Sequence, residues 1–219
     1  MVRYMCFSPE ASFIAGTGLS GLGIVSARLS NTKAKMMACM PLLFGIQQLS
    51  EGFQWLSLRA GNVNEIAGYV FVFFAFLLWP VYVPVTVYFM DEKRRNLTRF
   101  FIIAGSSVSL VLAYCLAAGP LFVQPFSTSI LYTASCPAFP FVIGPLGVML
   151  YVTATVISLL TSSIRWFQLA GLVVAVSFLV AWFIYNTTFA SVWCFFAAIL
   201  SGGIFYYIWK HQRAAVKAL

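Results

Sequence analysis

Acidic residues are scarce in this chain of 219: five Asp and Glu stand against thirteen Lys and Arg, with one histidine and 8% of residues charged. Soluble domains carry about a quarter of their residues as charge, so a soluble nucleotide-binding or nucleic-acid-binding domain is excluded despite the formal net charge of +8. A lone histidine, His211, rules out bis-histidine haem ligation and the multi-histidine metal clusters of membrane desaturases. It also leaves any Cys6 or Glu51 nucleophile without a histidine base, so an enzyme is the least favoured class, and no metal site or cofactor is indicated. The last apolar stretch lacks the lysine a retinal Schiff base needs. What is abundant is apolar: 62% of the chain is hydrophobic and 17% aromatic, with a mean hydropathy of +0.93. The sequence describes an all-α, polytopic integral membrane protein.

A spanning helix needs about 20 mainly apolar residues. Breaks in hydropathy predict seven, over residues 9–29, 36–58, 66–90, 98–119, 141–162, 165–185 and 189–209, in a single membrane domain. No cleavable signal peptide precedes the first, because residues 1–7 hold one positive charge and no small-residue cleavage site follows. Lys and Arg of short loops stay on the cytoplasmic face. Arg28, Lys33, Lys35, Lys93, Arg94, Arg95, Arg99, Arg165, Lys210, Arg213 and Lys217 all fall on one side, leaving Arg3 and Arg59 on the other. The expected seven-transmembrane bundle therefore has its N-terminus outside and its C-terminus inside, in a plasma or bacterial inner membrane. The uncharged connection between Pro120 and Pro140 is non-helical by composition, with Ser129 to Ala134 a short extended or interfacial segment; it serves either as a lid over the bundle or as an ordinary connector.

Gly16, Gly18 and Gly21 satisfy G-x-G-x-x-G, but with no preceding strand the pattern is better read as a small-residue surface, with Ser20 and Gly23, for close helix packing. Pro80 and Pro84 kink the third span and release two backbone carbonyls, with Tyr82 beside the kink. The most informative stretch is the second span. Gln47, Glu51 and Gln54 fall at i, i+4 and i+7, and Gln48 lies three before Glu51, which makes one polar stripe on a helical face. Glu51 is seven residues from Leu58, or about 10 Å below the outer end. A carboxylate at that depth must face the bundle interior, a cavity or a partner, or be protonated. It serves either as interhelical glue or as a ligand or pathway site.

Glu10 follows Ser8 and Pro9 as the first turn of the first span, where the helix dipole favours it. Its depth also allows a pairing with Glu51 in a proton-linked site. Cys6 and Cys136 lie toward the outer face and form either a disulfide or two free thiols.

Three segments, Met5 to Phe13, Pro41 to Gly52 and Trp193 to Ser201, resemble an uncharacterised family of small bacterial membrane proteins that start Met-Cys-Phe-Ser and carry Gln-Gln-x-x-Glu-Gly in span two. The resemblance implies that Met5 is the natural start and that Cys6, Glu10, Gln47, Gln48 and Glu51 belong to one site; it implies no activity. The reading favoured by the residues is a transporter or channel for a proton, cation or small polar solute, built on Glu51, Gln47, Gln48, Glu10, Gln54 and Tyr82. Its partners would be the lipid bilayer, a small polar or ionic ligand and other copies of itself, with no role for nucleic acid. A membrane sensor or accessory subunit that binds lipid, pigment or a partner protein is the alternative.

Overall fold

A computed structural model describes residues 8–134, 136 and 144–217. Among them, seven helices run along the chain: α1 (Pro9–Leu29), α2 (Lys35–Arg59), α3 (Glu65–Met90), α4 (Glu92–Ala118), α5 (Pro145–Leu160), α6 (Arg165–Ile184) and α7 (Phe189–Lys217). Five of them, α1, α3, α4, α6 and α7, are long and apolar enough to cross a membrane. Helix α5 is shorter, and the expected start of its span at Phe141 lies outside the described residues. Helix α2 has the length, at 25 residues, but its glutamines, serines and Glu51 lower its hydropathy.

Local chemistry sets the helix starts. The Ser8 hydroxyl accepts from the Ala11 amide at 3.2 Å, with Pro9 in the first turn where its missing N–H costs nothing. Asn64 caps α3 in the same way, accepting from the Ala67 amide at 3.0 Å. Part of the expected glycine surface is used: a Cβ on Gly23 would sit 2.2 Å from the Leu42 amide nitrogen, and one on Gly16 2.9 Å from that of Leu49. Helix α1 thus lies backbone to backbone against α2. Gly18 and Gly21 face open space and take no part.

Helix α3 carries the irregularity that its prolines predict. A π-helical turn spans Phe73–Leu78, just before Trp79 and Pro80, and neighbouring helices take up carbonyls there. The Tyr151 hydroxyl of α5 donates to the Ala75 carbonyl at 2.5 Å, and the Ser109 hydroxyl of α4 donates to that of Leu77 at 3.0 Å. Helix α5 has its own π turn at Thr153–Ile157.

Between α4 and α5 lies an antiparallel hairpin, β1 (Leu121–Phe126) and β2 (Ser129–Ala134), paired in register from Leu121 with Ala134 to Phe126 with Ser129. The extended segment thus occupies the stretch the sequence marked. It folds onto the helices: Tyr132 stacks on Phe71 of α3 with ring centroids 4.4 Å apart, and the Ser129 hydroxyl donates to Thr188 at 2.6 Å. The register also corrects the disulfide expectation. Because β2 returns the chain to where β1 began, Cys136 arrives beside the last turns of α4 and bonds to Cys115, with Cα atoms 4.9 Å apart. The pairing of Cys136 with Cys6 therefore gives way to Cys115–Cys136; Cys6 itself lies outside the described residues.

The ends of the bundle differ in charge. Loops at 30–34, 91–94 and 161–164 meet at the end opposite the hairpin, joined by Lys33 on Glu92 at 2.8 Å and by Asp91 on Ser162 at 2.7 Å. Arg59 lies at the hairpin end, paired with Glu10.

Candidate functional site

The backbone contact with α1 fixes the roll of α2, so its polar stripe turns into the bundle. Gln47, Gln48 and Gln54 are fully buried, and Glu51 is 2% exposed. One Glu51 oxygen accepts from the Ser191 hydroxyl of α7 at 2.5 Å; the other accepts from the Gln48 side-chain amide at 3.4 Å. The Gln47 side-chain oxygen accepts from the Trp79 indole at 2.8 Å, and Trp79 stacks on Phe44 with centroids 3.8 Å apart. Gln54 lies under the hairpin, where a Cβ on Gly68 would meet both the Gln54 carbonyl oxygen at 3.6 Å and Val123 of β1 at 3.2 Å.

Around this carboxylate the hydrogen-bonding capacity is only partly used. Nine buried side-chain nitrogen or oxygen atoms lack a partner among the described residues, and seven of them belong here. They are the Gln47 nitrogen, the Gln48 oxygen, both ends of the Gln54 amide, the Trp55 and Trp193 indole nitrogens and the Tyr132 hydroxyl. Leaving a buried polar group unpaired costs about 1–3 kcal/mol, so such a cluster is expensive unless something polar binds there. None of the three ion pairs among the described residues includes Glu51.

Two cavities border the cluster, of about 230 and 240 Å³. The first runs from Met37, Trp166 and Ile204 toward mid-bundle; the second runs from there to Thr133 and Ala134 of the hairpin. Tyr151, Trp193 and Cys194 line both. Trp79 also borders the first cavity, so the Gln47 side chain lies directly behind the wall.

Of the residues singled out in the sequence, Gln47, Gln48, Glu51 and Gln54 are all buried on the inward face of α2. Glu10 does not join them: its side chain is 62% exposed and takes both guanidinium nitrogens of Arg59, at 2.7 and 3.2 Å. Tyr82 touches the site only through its ring, edge to face on Trp79 with centroids 6.1 Å apart, and its hydroxyl donates to the Met36 carbonyl near the start of α2 at 2.9 Å. Ser191, Trp79, Tyr132 and Trp193 complete the site without having been singled out as site residues. Only Trp193 carried a signal, as the first residue of the third segment of family resemblance.

The matching sequence pattern covers residues 5–218. The chain belongs to the family of unknown function DUF6629. No curated protein and no solved structure matches it. Membership in DUF6629 agrees with the resemblance to an uncharacterised family and assigns no chemistry, so the function of this DUF6629 chain rests on its own side chains.

Proposed function

We propose that the protein is a small seven-span membrane transporter or channel for a proton, cation or small polar solute, with its N-terminus outside and its binding site in the outer half of the bundle. The observation that carries this reading is the buried carboxylate of Glu51, unpaired with any cation among the described residues and ringed by unpartnered amide, indole and phenol groups. Packing alone has no use for such a cluster, because apolar side chains would fill the same space at lower cost. A guest that both accepts and donates hydrogen bonds, or a proton held on Glu51, uses it fully.

The test is flux. Purified protein in liposomes loaded with a pH-sensitive dye should carry a pH-dependent proton or cation current, and Glu51→Gln should abolish it while the helical spectrum and monodispersity persist. Unchanged flux in correctly folded Glu51→Gln would make the carboxylate interhelical glue. The apolar lining of the cavities would then favour the second reading, a membrane sensor or accessory subunit that binds a lipophilic partner.

A further inference from the structure

The space around Glu51 decides which substrate can reach it. Neither cavity is lined by Glu51, Ser191 or any of the three glutamines. A solute or a hydrated ion would have to open a place that buried side chains already fill. The groups left over also have the wrong character for a metal cation, which takes oxygen ligands. Of the seven unpartnered atoms, four are nitrogens that only donate, the Tyr132 hydroxyl does either, and only the Gln48 and Gln54 oxygens are pure acceptors. A proton needs no volume and no ligand shell.

A line of hydroxyls leads from the hairpin end to this carboxylate. Ser129, the first residue of β2, lies two residues beyond the exposed Ser127 of the hairpin turn. Its hydroxyl donates to that of Thr188 at 2.6 Å, and Ser191 donates to Glu51 at 2.5 Å. Thr188 immediately precedes α7, so it stands three residues from Ser191 at the helix start, a spacing that puts Cβ atoms about 5–6 Å apart on one side. None of the four residues is more than 4% exposed. The donors run one way. Thr188 accepts from Ser129 and donates to no group among the described residues, and Ser191, donating to Glu51, has lone pairs with which to accept.

Of the titratable groups on the surrounding elements, Tyr132 of β2 and Cys194 of α7 lie in electrostatic reach of Glu51. Both are neutral near pH 7. Glu10 and Arg28 of α1 and Glu65 of α3 sit in the end turns of their helices, as do Lys35 and Arg59 of α2 itself. A proton arriving at Glu51 therefore meets no fixed positive charge.

Resting on the reading of Glu51 as a transport site, we propose that its substrate is the proton, and that Ser129, Thr188 and Ser191 relay it between the hairpin end and the carboxylate. Ser191 passes its hydroxyl proton to a Glu51 oxygen and takes one from Thr188, which takes one from Ser129, which is refilled from solvent at the hairpin turn. Each hydroxyl breaks one O–H bond and forms another, so the net change is one proton gained by Glu51. Thr188 to Ser191 is the one link without a hydrogen bond, and it limits the rate.

Infrared difference spectroscopy of the purified full-length protein tests the relay apart from flux. A protonated-carboxyl band that Glu51→Gln removes should appear on acidification and shift on transfer to deuterium oxide. Thr188→Val and Ser191→Ala should each slow that shift about tenfold or more, and Thr188→Ser should restore it. In liposomes the same variants should slow proton flux in parallel, with no dependence on a sodium or potassium gradient. Unchanged exchange in folded Thr188→Val and Ser191→Ala, or no Glu51 carboxyl band at any pH the fold survives, overturns the proposal. Glu51-dependent sodium or potassium flux also overturns it and leaves the transport reading standing; relayed exchange without any wild-type flux keeps the relay and defeats transport. If Ser191→Ala does not fold, Thr188→Val, which keeps the buried shape, decides it.

Discussion

Two carboxylates in this molecule are equally buried, and they are treated in opposite ways. Asp91, at the end of α3 opposite the hairpin, and Glu51, in α2, are each 2% exposed. Asp91 is saturated: it accepts from the Ser162 hydroxyl at 2.7 Å, the Ser163 amide at 2.5 Å and the Ser163 hydroxyl at 2.6 Å. Desolvation raises its carboxyl, but the donors from Ser163 and Ser162 together outweigh that and hold it below the usual aspartate range. Glu51 has one short donor, one long one, and unpartnered groups all round it. Burial alone therefore does not mark a functional acid. What separates the two is the hydrogen-bonding capacity left over: by that measure Asp91 is a clamp between two loops, while Glu51 is the acid on which the proposed function rests.

Removing each acid should separate these roles, and the largest effect belongs to the clamp. Asp91→Ala leaves the buried Ser162 hydroxyl without its acceptor and removes two further hydrogen bonds from the exposed Ser163, at a cost of roughly 3 kcal/mol. For a chain of this size that lowers the thermal midpoint in detergent by about 6–12 °C. A midpoint unchanged in Asp91→Ala would mean that water replaces the carboxylate, and the comparison with Glu51 would lose its structural half.

Acid pH probes the same clamp more gently. A carboxyl whose folded pKa is depressed contributes stability that is fully present above its unfolded value, about 3.9, and is lost as pH falls through the lower folded value. The wild-type midpoint should accordingly drop as pH falls below about 4. Asp91→Asn, which does not titrate, should lack that part of the slope. Glu92 is held low by its hydrogen bond from Lys33, and its exposure makes it a minor contributor to the same trend. Parallel curves for wild type and Asp91→Asn would assign the acid sensitivity elsewhere.

Glu51→Gln should do the reverse of Asp91→Ala: a stability change within about 1 kcal/mol, since the amide oxygen still accepts from Ser191, together with loss of flux. A large destabilisation without any change in flux would move Glu51 into the same class as Asp91.

How much of this was legible depends on whether a feature is local to one helix. The Gln47, Glu51 and Gln54 stripe could be read because i, i+4 and i+7 share a face whatever the helix packs against. The kink in α3 followed from two prolines, and β2 from a run of β-formers between turn residues. Asp91 was invisible, because a single acid following an apolar span looks like any loop residue until the 161–164 loop is seen to close on it. The Cys115–Cys136 bond was missed for a similar reason: only the register of the hairpin brings those residues together. Depth along a helix was legible for Glu10, but the direction in which it faces was not.

Glu10 provides the smallest expected effect and the sharpest contrast with Glu51. It occupies the first turn of α1, where the Ser8 cap and the helix N-terminus already favour an acid, and its bidentate pair with Arg59 is open to water on both sides, with side chains 62% and 45% exposed. Exposed pairs of this kind are screened by salt and offset by the entropy of ordering two long side chains. Arg59→Ala, Glu10→Gln and the double variant should therefore each shift the thermal midpoint by only about a degree, with little coupling between them. None should alter a Glu51-dependent flux, because the ion pair contributes no atom to the buried cluster. If Glu10→Gln reduced flux as Glu51→Gln is expected to, the two acids would be linked in function despite their separation in the fold. The site would then have to extend to the α1 N-terminus, and the distinction between spare and saturated carboxylates would not be enough to locate it.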